Sequence, residues 1–334
     1  MQDKVLLDHG SGGGASQRLI KELFLSYLGN QVLNSLDDAA CLQMQGRWAF
    51  STDTFTVDPV FFPGGDIGSL AVHGTVNDVA MLGARPRFLS CGFILEEGLS
   101  MQTLERVVAS MARAAQAAGV EMVTGDTKVV PKGKVDKIFI NTTGLGEILP
   151  QEPPAGSRAR PGDAILISGN LGEHGLAVMA ARQDLGLQTG VQSDSAALNH
   201  MLVDLVTQVE QVHVLRDPTR GGLASTLNEI AAQSSCSCLL QEEALPVTSA
   251  VSQGCSLLGL DPLYLANEGK VICILPRDQA ELALQILRSH QAGRNAVWIG
   301  EVQAQDPGRV LLRTRIGGHR ILSMLEGEQL PRIC

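Results

Sequence analysis

Hydrophobic residues in the first half of the chain recur alternately at helical and at strand spacing. From Gln17 to Leu28, apolar side chains return every three or four positions, which predicts an amphipathic helix. A longer apolar-periodic stretch at 67–82 predicts another helix, and the alanine-rich stretch Met101–Ala118 predicts a third that ends at Gly119. Shorter alternating runs predict strands at 47–55, 87–95 and 134–148.

The second half repeats this mixture after a break. Between Leu149 and Gly162 the sequence LPQEPPAGSRARPG contains four prolines, which indicates a linker or crossover. Beyond it the pattern predicts strands at 164–168 and 270–275, and helices at 173–182, 196–209, 221–233 and 277–290. We therefore expect a two-domain α/β (α+β) fold with domains at 1–150 and 151–324, followed by an extended, mobile tail at 325–334.

Composition narrows the class of protein. The 334 residues are 44% hydrophobic, with a mean hydropathy of +0.11, enough for a large core. The net charge of −9 provides no basic field for nucleic acid or for an anionic membrane surface. The chain shows neither a signal segment nor a long apolar run, so we expect a cytoplasmic protein without nucleic-acid or membrane partners.

Seven cysteines are scattered along the chain without a C-x-x-C pair. Six are expected to be buried, reduced thiols. The seventh, Cys334, is the last residue, and chain ends are exposed and mobile unless they are tied down. An extended tail of this length reaches on the order of 30 Å, far enough for the thiol to enter and leave a cleft. The neighbouring Arg332 should favour its ionisation, partly offset by the terminal carboxylate.

Acidic residues mark the breaks between periodic elements. They occur in Asp37-Asp38, Ser51-Thr-Asp53, Asn77-Asp78, Gly125-Asp-Thr-Lys128 and Asp217-Pro-Thr-Arg-Gly-Gly222. Each aspartate taken alone is more often a helix cap or a turn former. As a set, dispersed carboxylates suit a magnesium–nucleotide site, because Mg²⁺ takes a few carboxylates, waters and phosphate oxygens.

Glycine-rich loops offer further phosphate-binding candidates. The segment His9-Gly-Ser-Gly-Gly-Gly-Ala-Ser16 matches neither a P-loop nor a dinucleotide fingerprint, and such loops are more often ordinary turns. Backbone N–H groups at 63–65, 169–172 and 221–222 can nevertheless cradle phosphates. No histidine spacing indicates zinc, and His9, His73 and His174 remain phosphate-loop candidates at most.

Taken together, these motifs resemble the HypE family of hydrogenase maturation factors, in the aminoimidazole ribonucleotide synthetase-like ATP-binding superfamily. The resemblance runs nearly end to end. It rests on Asp37-Asp-Ala-Ala40, Ser51-Thr-Asp-Thr54, Phe62-Pro-Gly-Gly-Asp66, Gly74-Thr-Val-Asn-Asp78, Gly125-Asp-Thr-Lys128, Asp217-Pro-Thr-Arg-Gly-Gly222, Ala266-Asn-Glu-Gly-Lys270 and the terminal Pro331-Arg-Ile-Cys334.

The resemblance implies a homodimer whose N-terminal domains form the dimer core and share a nucleotide cleft. It implies that the carbamoyltransferase HypF loads a carbamoyl group on the terminal thiol. The chain would then dehydrate this S-carboxamide to S-cyanate with ATP and Mg²⁺. The cyanide would pass to the HypC–HypD complex, which builds the Fe(CN)₂CO centre of nickel–iron hydrogenase.

The residues expected to act follow from these motifs. Cys334 carries the cargo, Glu268 is the candidate base with a pKa raised by burial, and Lys128 is the candidate to stabilise charge or orient Glu268. Candidate nucleotide-binding residues are Asp37, Asp38, Asp53, Asn77, Asp78, Asp126, Thr127, Asp217, Thr219, Gly221 and Gly222. Candidate magnesium ligands are Asp38, Asp78, Asp126 and Asp217.

Two alternatives stay open. One is another ATP-using enzyme of the superfamily that acts on a free small molecule. Selenophosphate synthetases carry a reactive Cys or selenocysteine in the N-terminal glycine loop, whereas residues 9–16 here contain none. The other is a non-catalytic carrier or scaffold that only presents the thiol of Cys334 to partner proteins.

Overall fold

A computed structural model of the protein describes residues 3–11, 13–36, 39–182, 190–326 and 332–334. Helices and strands alternate along it and form two main sheets, one in each half of the chain. The mixed α/β fold expected from the sequence is confirmed. Helices lie at α1 Gly14–Leu19, α2 Leu25–Leu28, α3 Ile67–Ala80, α4 Met101–Ala118, α5 Glu173–Ala180, α6 Asn199–Gln208, α7 Gly222–Ser234, α8 Ser249–Leu258 and α9 Ala280–Ser289. Strands lie at β1 Trp48–Phe55, β2 Phe61–Phe62, β3 Gly65–Asp66, β4 Ala84–Glu96, β5 Glu121–Val130, β6 Ile138–Ile148, β7 Asp163–Ile167, β8 Val214–Arg216, β9 Ser237–Gln241, β10 Ile272–Pro276, β11 Val297–Gln303, β12 Val310–Arg313 and β13 His319–Leu322.

The first half is a four-stranded sheet with helices against one face. Its strand order is β1-β6-β4-β5, with β4 and β5 parallel and the other pairs antiparallel. The side chain of Asp66 caps α3 by accepting from the N–H groups of Gly68 and Ser69 at 2.8 and 3.2 Å. Helix α4 ends at Gly119, as predicted, in the left-handed conformation (φ 68°) that glycine adopts without strain.

The opposite face of this sheet is open in the single chain. Phe50 is 69% exposed and Ile94 is 44% exposed, although both are apolar residues within long strands. Strands with one buried and one open face alternate in burial, and β1 and β4 follow this alternation. The sheet therefore presents apolar side chains to whatever covers it.

The second half is a seven-stranded sheet with a core on each face. The order is β13-β12-β9-β11-β7-β10-β8. In β7, Ile165 and Ile167 pack with α7, whereas Ala164 and Leu166 pack with α6 and α9. A strand covered on both faces is apolar throughout, which explains the continuous run Ala-Ile-Leu-Ile that the sequence shows here.

The hydrophobic pattern did not predict helix α8 or strands β8, β9 and β11–β13, and two other regions differ from the prediction. The helix expected at 17–28 begins earlier, at Gly14, and contains a π-helical turn at Ile20–Phe24 between α1 and α2. An extended segment, residues 192–198, crosses from one half to the other before α6. In this segment, the carbonyl of Ala196 accepts from the Asn77 side-chain amide at 3.0 Å, and the Leu198 N–H donates to Oδ1 of Asn77 at 2.8 Å. None of the described helices is long and apolar enough to cross a bilayer.

Candidate functional site

The last three residues of the chain are bound along the segment that follows β1. A terminal oxygen of Cys334 accepts from the Thr56 N–H at 3.0 Å and from the Thr56 hydroxyl at 3.2 Å. The Arg332 carbonyl accepts from the Asp58 N–H at 3.2 Å. The intervening Ile333 is buried at 5% exposure in the core of the first half. In this structure the chain end is therefore docked, and its thiol is half-buried.

The side chain of Arg332 anchors this docked end. Its Nε donates to the Thr56 carbonyl at 2.9 Å, and its Nη1 lies 2.6 Å from Asp136 Oδ2. The guanidinium also lies 5.7 Å from the centre of the Phe139 ring. The expectation that Arg332 assists the thiol is thus wrong for the docked end, because its charge is engaged by Asp136.

A different cation faces the thiol. Nη2 of Arg220 lies 3.5 Å from Sγ of Cys334. Burial of the thiol, reinforced by the nearby charge of Glu268, raises the pKa of Cys334 to about 11, and Arg220 only partly offsets this. The docked thiol is therefore neutral at physiological pH and is not a nucleophile in this position.

The predicted base lies at the same place. Glu268 is 4% exposed, and within the described ranges its Oε1 has no hydrogen-bond partner. Burial raises the pKa of Glu268 well above its ordinary value, and the charges of Asp217 and Asp194 raise it further. A buried carboxyl group with a raised pKa and an unpartnered oxygen is a candidate general base or acid.

Backbone contacts fix the loop that carries Glu268. Asp194 accepts from the N–H groups of Glu268 and Gly269 at 3.1 and 3.3 Å, and it pairs with Lys270 at 3.1 Å. The buried amide of Asn267 accepts from the Gly172 N–H at 2.7 Å and donates to the Pro218 carbonyl at 3.0 Å. These contacts tie the loops at 169–172, 217–222 and 266–270 together.

Three aspartates surround the base and share its electrostatic environment. Asp53 lies on β1, Asp78 on α3 and Asp217 directly after β8. Burial raises the pKa of Asp78, and repulsion by Asp217 and Asp53 adds to the effect; a 2.9 Å hydrogen bond from Ser51 opposes it. Burial likewise raises the pKa values of Asp53 and Asp217. Buried carboxylates that interact electrostatically in this way are candidates to bind a cation.

The remaining predicted residues of this region lie at its edge. A cavity of about 700 Å³ is lined by Asp78, Asp217, Thr219 and Gly221 among others. Gly222 has φ 61°, and a Cβ there would lie 2.6 Å from two backbone carbonyl oxygens, so only glycine fits at the start of α7. Asn77 does not face this cavity. Its amide instead donates to the Glu268 carbonyl at 3.2 Å, which makes it part of the support of the base.

Other predicted residues lie elsewhere. Lys128 and Asp126 pair with each other at 3.1 Å on β5, where their side chains are 64% and 69% exposed. Together with Thr127 they line a cavity of about 310 Å³ beside α1 and α2, which shares no described lining residue with the cavity at Asp78. Asp37 and Asp38 lie outside the described residues. In the single chain Lys128 does not orient Glu268.

The carboxylates of the site can be tested for whether they fit the predicted Mg²⁺. In the part of the chain that the structure describes, no three His, Cys, Asp or Glu side chains form a ready-made metal cage. Mg²⁺ needs no such cage, because it retains waters and takes one or two carboxylates together with phosphate oxygens. Asp78 and Asp217, whose pKa values are raised chiefly by burial, fit this mode of binding.

Sequence reasoning missed three residues of the site. Arg220 stands inside the motif Asp217-Pro-Thr-Arg-Gly-Gly222, and its position between two predicted residues was the available signal. Asp194 precedes α6 in a stretch without periodicity, so nothing in the sequence marked it. His174 was considered only as a phosphate-loop candidate, but its Nε2 lies 2.9 Å from the Ile333 carbonyl.

Comparisons with known proteins identify the family of the chain. Residues 36–148 match the family model of the AIR synthase related protein N-terminal domain, and residues 160–313 match that of the C-terminal domain. The carbamoyl dehydratase HypE of Azotobacter vinelandii is 51% identical over 98% of this chain and 96% of its own. A crystal structure of the hydrogenase maturation protein HypE in complex with ATP is 63% identical, with a TM-score of 0.96 over 98% of this chain and 99% of that one. A HypE–HypF complex structure gives 49% identity and a TM-score of 0.81 over 91% of this chain and 99% of that one. The chain belongs to the HypE family of carbamoyl dehydratases, built from the two AIR synthase-related domains.

Proposed function

We propose that this protein dehydrates an S-carboxamide carried on its own Cys334 to an S-cyanate and consumes ATP in doing so. The observation that supports this most is the position of the docked thiol. Burial and then the charge of the buried Glu268 raise the pKa of this thiol, and Arg220 lies 3.5 Å from its sulfur. A group attached to this sulfur would be held beside a base, inside a cleft lined by carboxylates.

The reaction balances with ATP as the acceptor of the oxygen. The carboxamide oxygen attacks the γ-phosphorus, and ADP leaves. The nitrogen then loses both protons while the carbon–oxygen bond breaks, which forms the C≡N triple bond and releases phosphate. The sum is R–S–C(=O)NH₂ + ATP → R–S–C≡N + ADP + phosphate + H⁺. Phosphorylation is required because an amide oxygen is a poor leaving group.

The chain's own residues would take these roles. The unpartnered Oε1 of Glu268 would accept a proton from nitrogen, since a base works best when its pKa lies near the working pH. Arg220 would hold the cargo through its contact at sulfur. The backbone contacts of 332–334 would keep the carboxamide at one place, which removes much of the entropic part of the barrier.

Nucleotide and metal would be held by the carboxylates around the base. ATP binding is supported by the HypE relative whose structure contains ATP. Asp53, Asp78 and Asp217 would hold Mg²⁺, whose charge would supply electrostatic stabilisation to the phosphates and relieve the repulsion that raises the pKa of Glu268. Thr219 and Gly221 line the adjoining cavity, and Gly222 is the first residue of helix α7.

A homodimer would complete the site. The open face of the sheet carries Phe50 and Ile94, and a second copy of the chain would cover them. Asp126, Thr127 and Lys128 lie on β5 of the same sheet. In the dimer, these three residues would face a nucleotide shared by the two copies. Asp37 and Asp38 remain predicted nucleotide or metal contacts.

The expected partners are HypF and the HypC–HypD complex. HypF would load the carbamoyl group, since a HypE relative forms a complex with HypF. The HypC–HypD complex would receive the cyanide. All seven cysteines are free thiols in the structure, in keeping with a reducing cytoplasm.

Mass spectrometry of the carbamoylated protein tests the proposal. Incubation with Mg-ATP alone should remove the mass of one water from the C-terminal peptide and release one phosphate per chain. A non-catalytic carrier would lose neither. Cys334→Ala should abolish both loading and dehydration but leave ATP binding intact; a carbamoyl group found on another residue of this variant would contradict the proposal.

A further inference from the structure

We infer that His174 is a positioning residue that holds the loaded chain end in the cleft, through one hydrogen bond to the backbone carbonyl of Ile333. This inference deepens the proposed function and rests on it for the step that His174 serves. It rests on geometry for the contact itself. His174 lies in the first turn of α5 and is fully buried, with 0% exposure.

The ring makes one contact at each nitrogen. Nε2 lies 2.9 Å from the Ile333 carbonyl oxygen, and Nδ1 lies 2.8 Å from the Ser193 hydroxyl. A carbonyl oxygen only accepts, so Nε2 carries the hydrogen. In the neutral ring Nδ1 is then an acceptor, and Ser193 must donate to it. The hydroxyl oxygen of Ser193 in turn accepts from the Ser195 N–H at 3.1 Å, which fixes its direction.

The imidazole is held in place from several sides. The Phe62 ring meets it edge-on at 5.5 Å between ring centres, and burial lowers the pKa of His174, which keeps the ring neutral. A neutral, oriented ring with both nitrogens occupied is prepared to receive a backbone carbonyl when the chain end arrives. The bond from His174 goes to a backbone carbonyl, so it does not depend on the group attached to the sulfur of Cys334.

Segment 192–198 joins this contact to the base. Ser193 directs the ring of His174, and the next residue, Asp194, accepts from the N–H groups of Glu268 and Gly269. The group that holds the chain end and the group that holds the base are therefore neighbours in sequence. Docking of Ile333 at His174 places the cargo in register with Glu268.

This arrangement predicts opposite effects on the two steps that the chain end takes part in. Loading requires the chain end outside the cleft, whereas dehydration requires it inside. Loss of the bond from His174 should free the chain end more often. Loading should then be faster and dehydration slower, a combination that general damage to the fold does not produce.

Two variants with amide side chains separate the two ring contacts. In His174→Gln the amide nitrogen can occupy the place of Nε2 and still donate to Ile333, whereas in His174→Asn the shorter side chain reaches only the place of Nδ1. The matched control is His200→Ala, which removes an exposed histidine whose Nε2 also lies near a backbone carbonyl, that of Ala117 at 3.0 Å. Thermal unfolding of each variant verifies folding.

The readout is the alkylation rate of Cys334 by iodoacetamide, followed by mass spectrometry of the C-terminal peptide in the unloaded protein. This rate reports the undocked fraction and does not depend on the dehydratase activity. We expect His174→Asn to raise it roughly tenfold, as loss of one buried hydrogen bond implies, with His174→Gln and His200→Ala near the wild-type rate. The exposed Cys41 serves as an internal reference whose rate should not change.

Equal alkylation of Cys334 in wild-type protein and His174→Asn would overturn the inference, as would equal acceleration in the Asn and Gln variants. If alkylation follows the expected order but carbamoylated wild-type protein does not lose water with Mg-ATP, the proposed function fails and the contact stands. If wild-type protein loses water and His174→Asn does so at the same rate, the positioning role fails and the function stands.

Discussion

The pH dependence of Cys334 alkylation gives a direct measure of how strongly the chain end is docked. In the docked position the pKa of the thiol is raised from 9.0 to about 11, chiefly by burial. That difference corresponds to about a hundredfold, or about 2.7 kcal/mol at about 1.36 kcal/mol for each tenfold step. Docking favours the neutral thiol. The contribution of this preference to the free energy of docking is therefore constant below pH 9, and it is lost as the pH rises from 9 towards 11.

The assay compares the protein with a free peptide of the same C-terminal sequence. The peptide rate should level off above pH 9, because its thiol is then ionised. The protein rate should start lower and continue to rise almost tenfold per pH unit above that point, because each step in pH also releases more of the docked chain ends. Circular dichroism at each pH establishes that the protein is folded.

The comparison has a clear negative outcome. If the protein and the peptide level off at the same pH, the thiol of Cys334 does not occupy a buried site in solution. The explanation of its protection by burial and by Glu268 would then be wrong. Arg220→Ala should move the protein's levelling point further upward, because Arg220 lowers the pKa of the docked thiol.

Four further predictions concern the carboxylates. Glu268→Gln should leave carbamoylation normal and slow dehydration by roughly 10²- to 10⁴-fold in single-turnover mass spectrometry, and S-cyanate formation at the wild-type rate would remove Glu268 from the mechanism. Because the pKa of Glu268 is raised on folding, wild-type protein should lose stability as the pH rises above 4.5, and calorimetry should show a weaker loss in this variant. Asp78→Asn should raise the melting temperature, since it relieves repulsion by Asp217, but weaken Mg-ATP binding about tenfold by isothermal calorimetry; a lower melting temperature with unchanged binding would count against the cation site. Asp194→Asn should shift the acidic limb of the dehydration profile to lower pH, because the charge of Asp194 raises the pKa of Glu268, while the surface variant Asp204→Asn should leave the profile in place.

The sequence was most informative where local rules decide the structure. Helix α4 combines a strong apolar stripe with a glycine that ends it, so both of its ends could be predicted from residues 101–119 alone. The short strands β8, β12 and β13 could not, because three or four residues carry no readable period and their pairing is set by distant partners. The motifs located Glu268 and Asp217 for the same local reason, since each stands in a distinctive loop.

The sequence was least informative about electrostatics and about what the chain end touches. The proximity of Arg332 to Cys334 in sequence suggested a cation for the thiol, but the left-handed backbone of Arg332 (φ 53°) accompanies a guanidinium that binds Asp136. Arg220, distant in sequence, takes that place instead. Such contacts depend on tertiary structure across more than a hundred residues, which no spacing rule encodes.

The way the chain end is held has a consequence for the release of the product. Main-chain contacts hold all three residues: Asp58 and Arg182 bind the Arg332 carbonyl, His174 binds that of Ile333, and Thr56 binds a terminal oxygen of Cys334. These bonds do not involve the sulfur, so under the proposed function they would form alike in the empty, carbamoylated and cyanated chain ends. Release of the product would then depend on the partner that receives it, and turnover should follow the concentration of that partner.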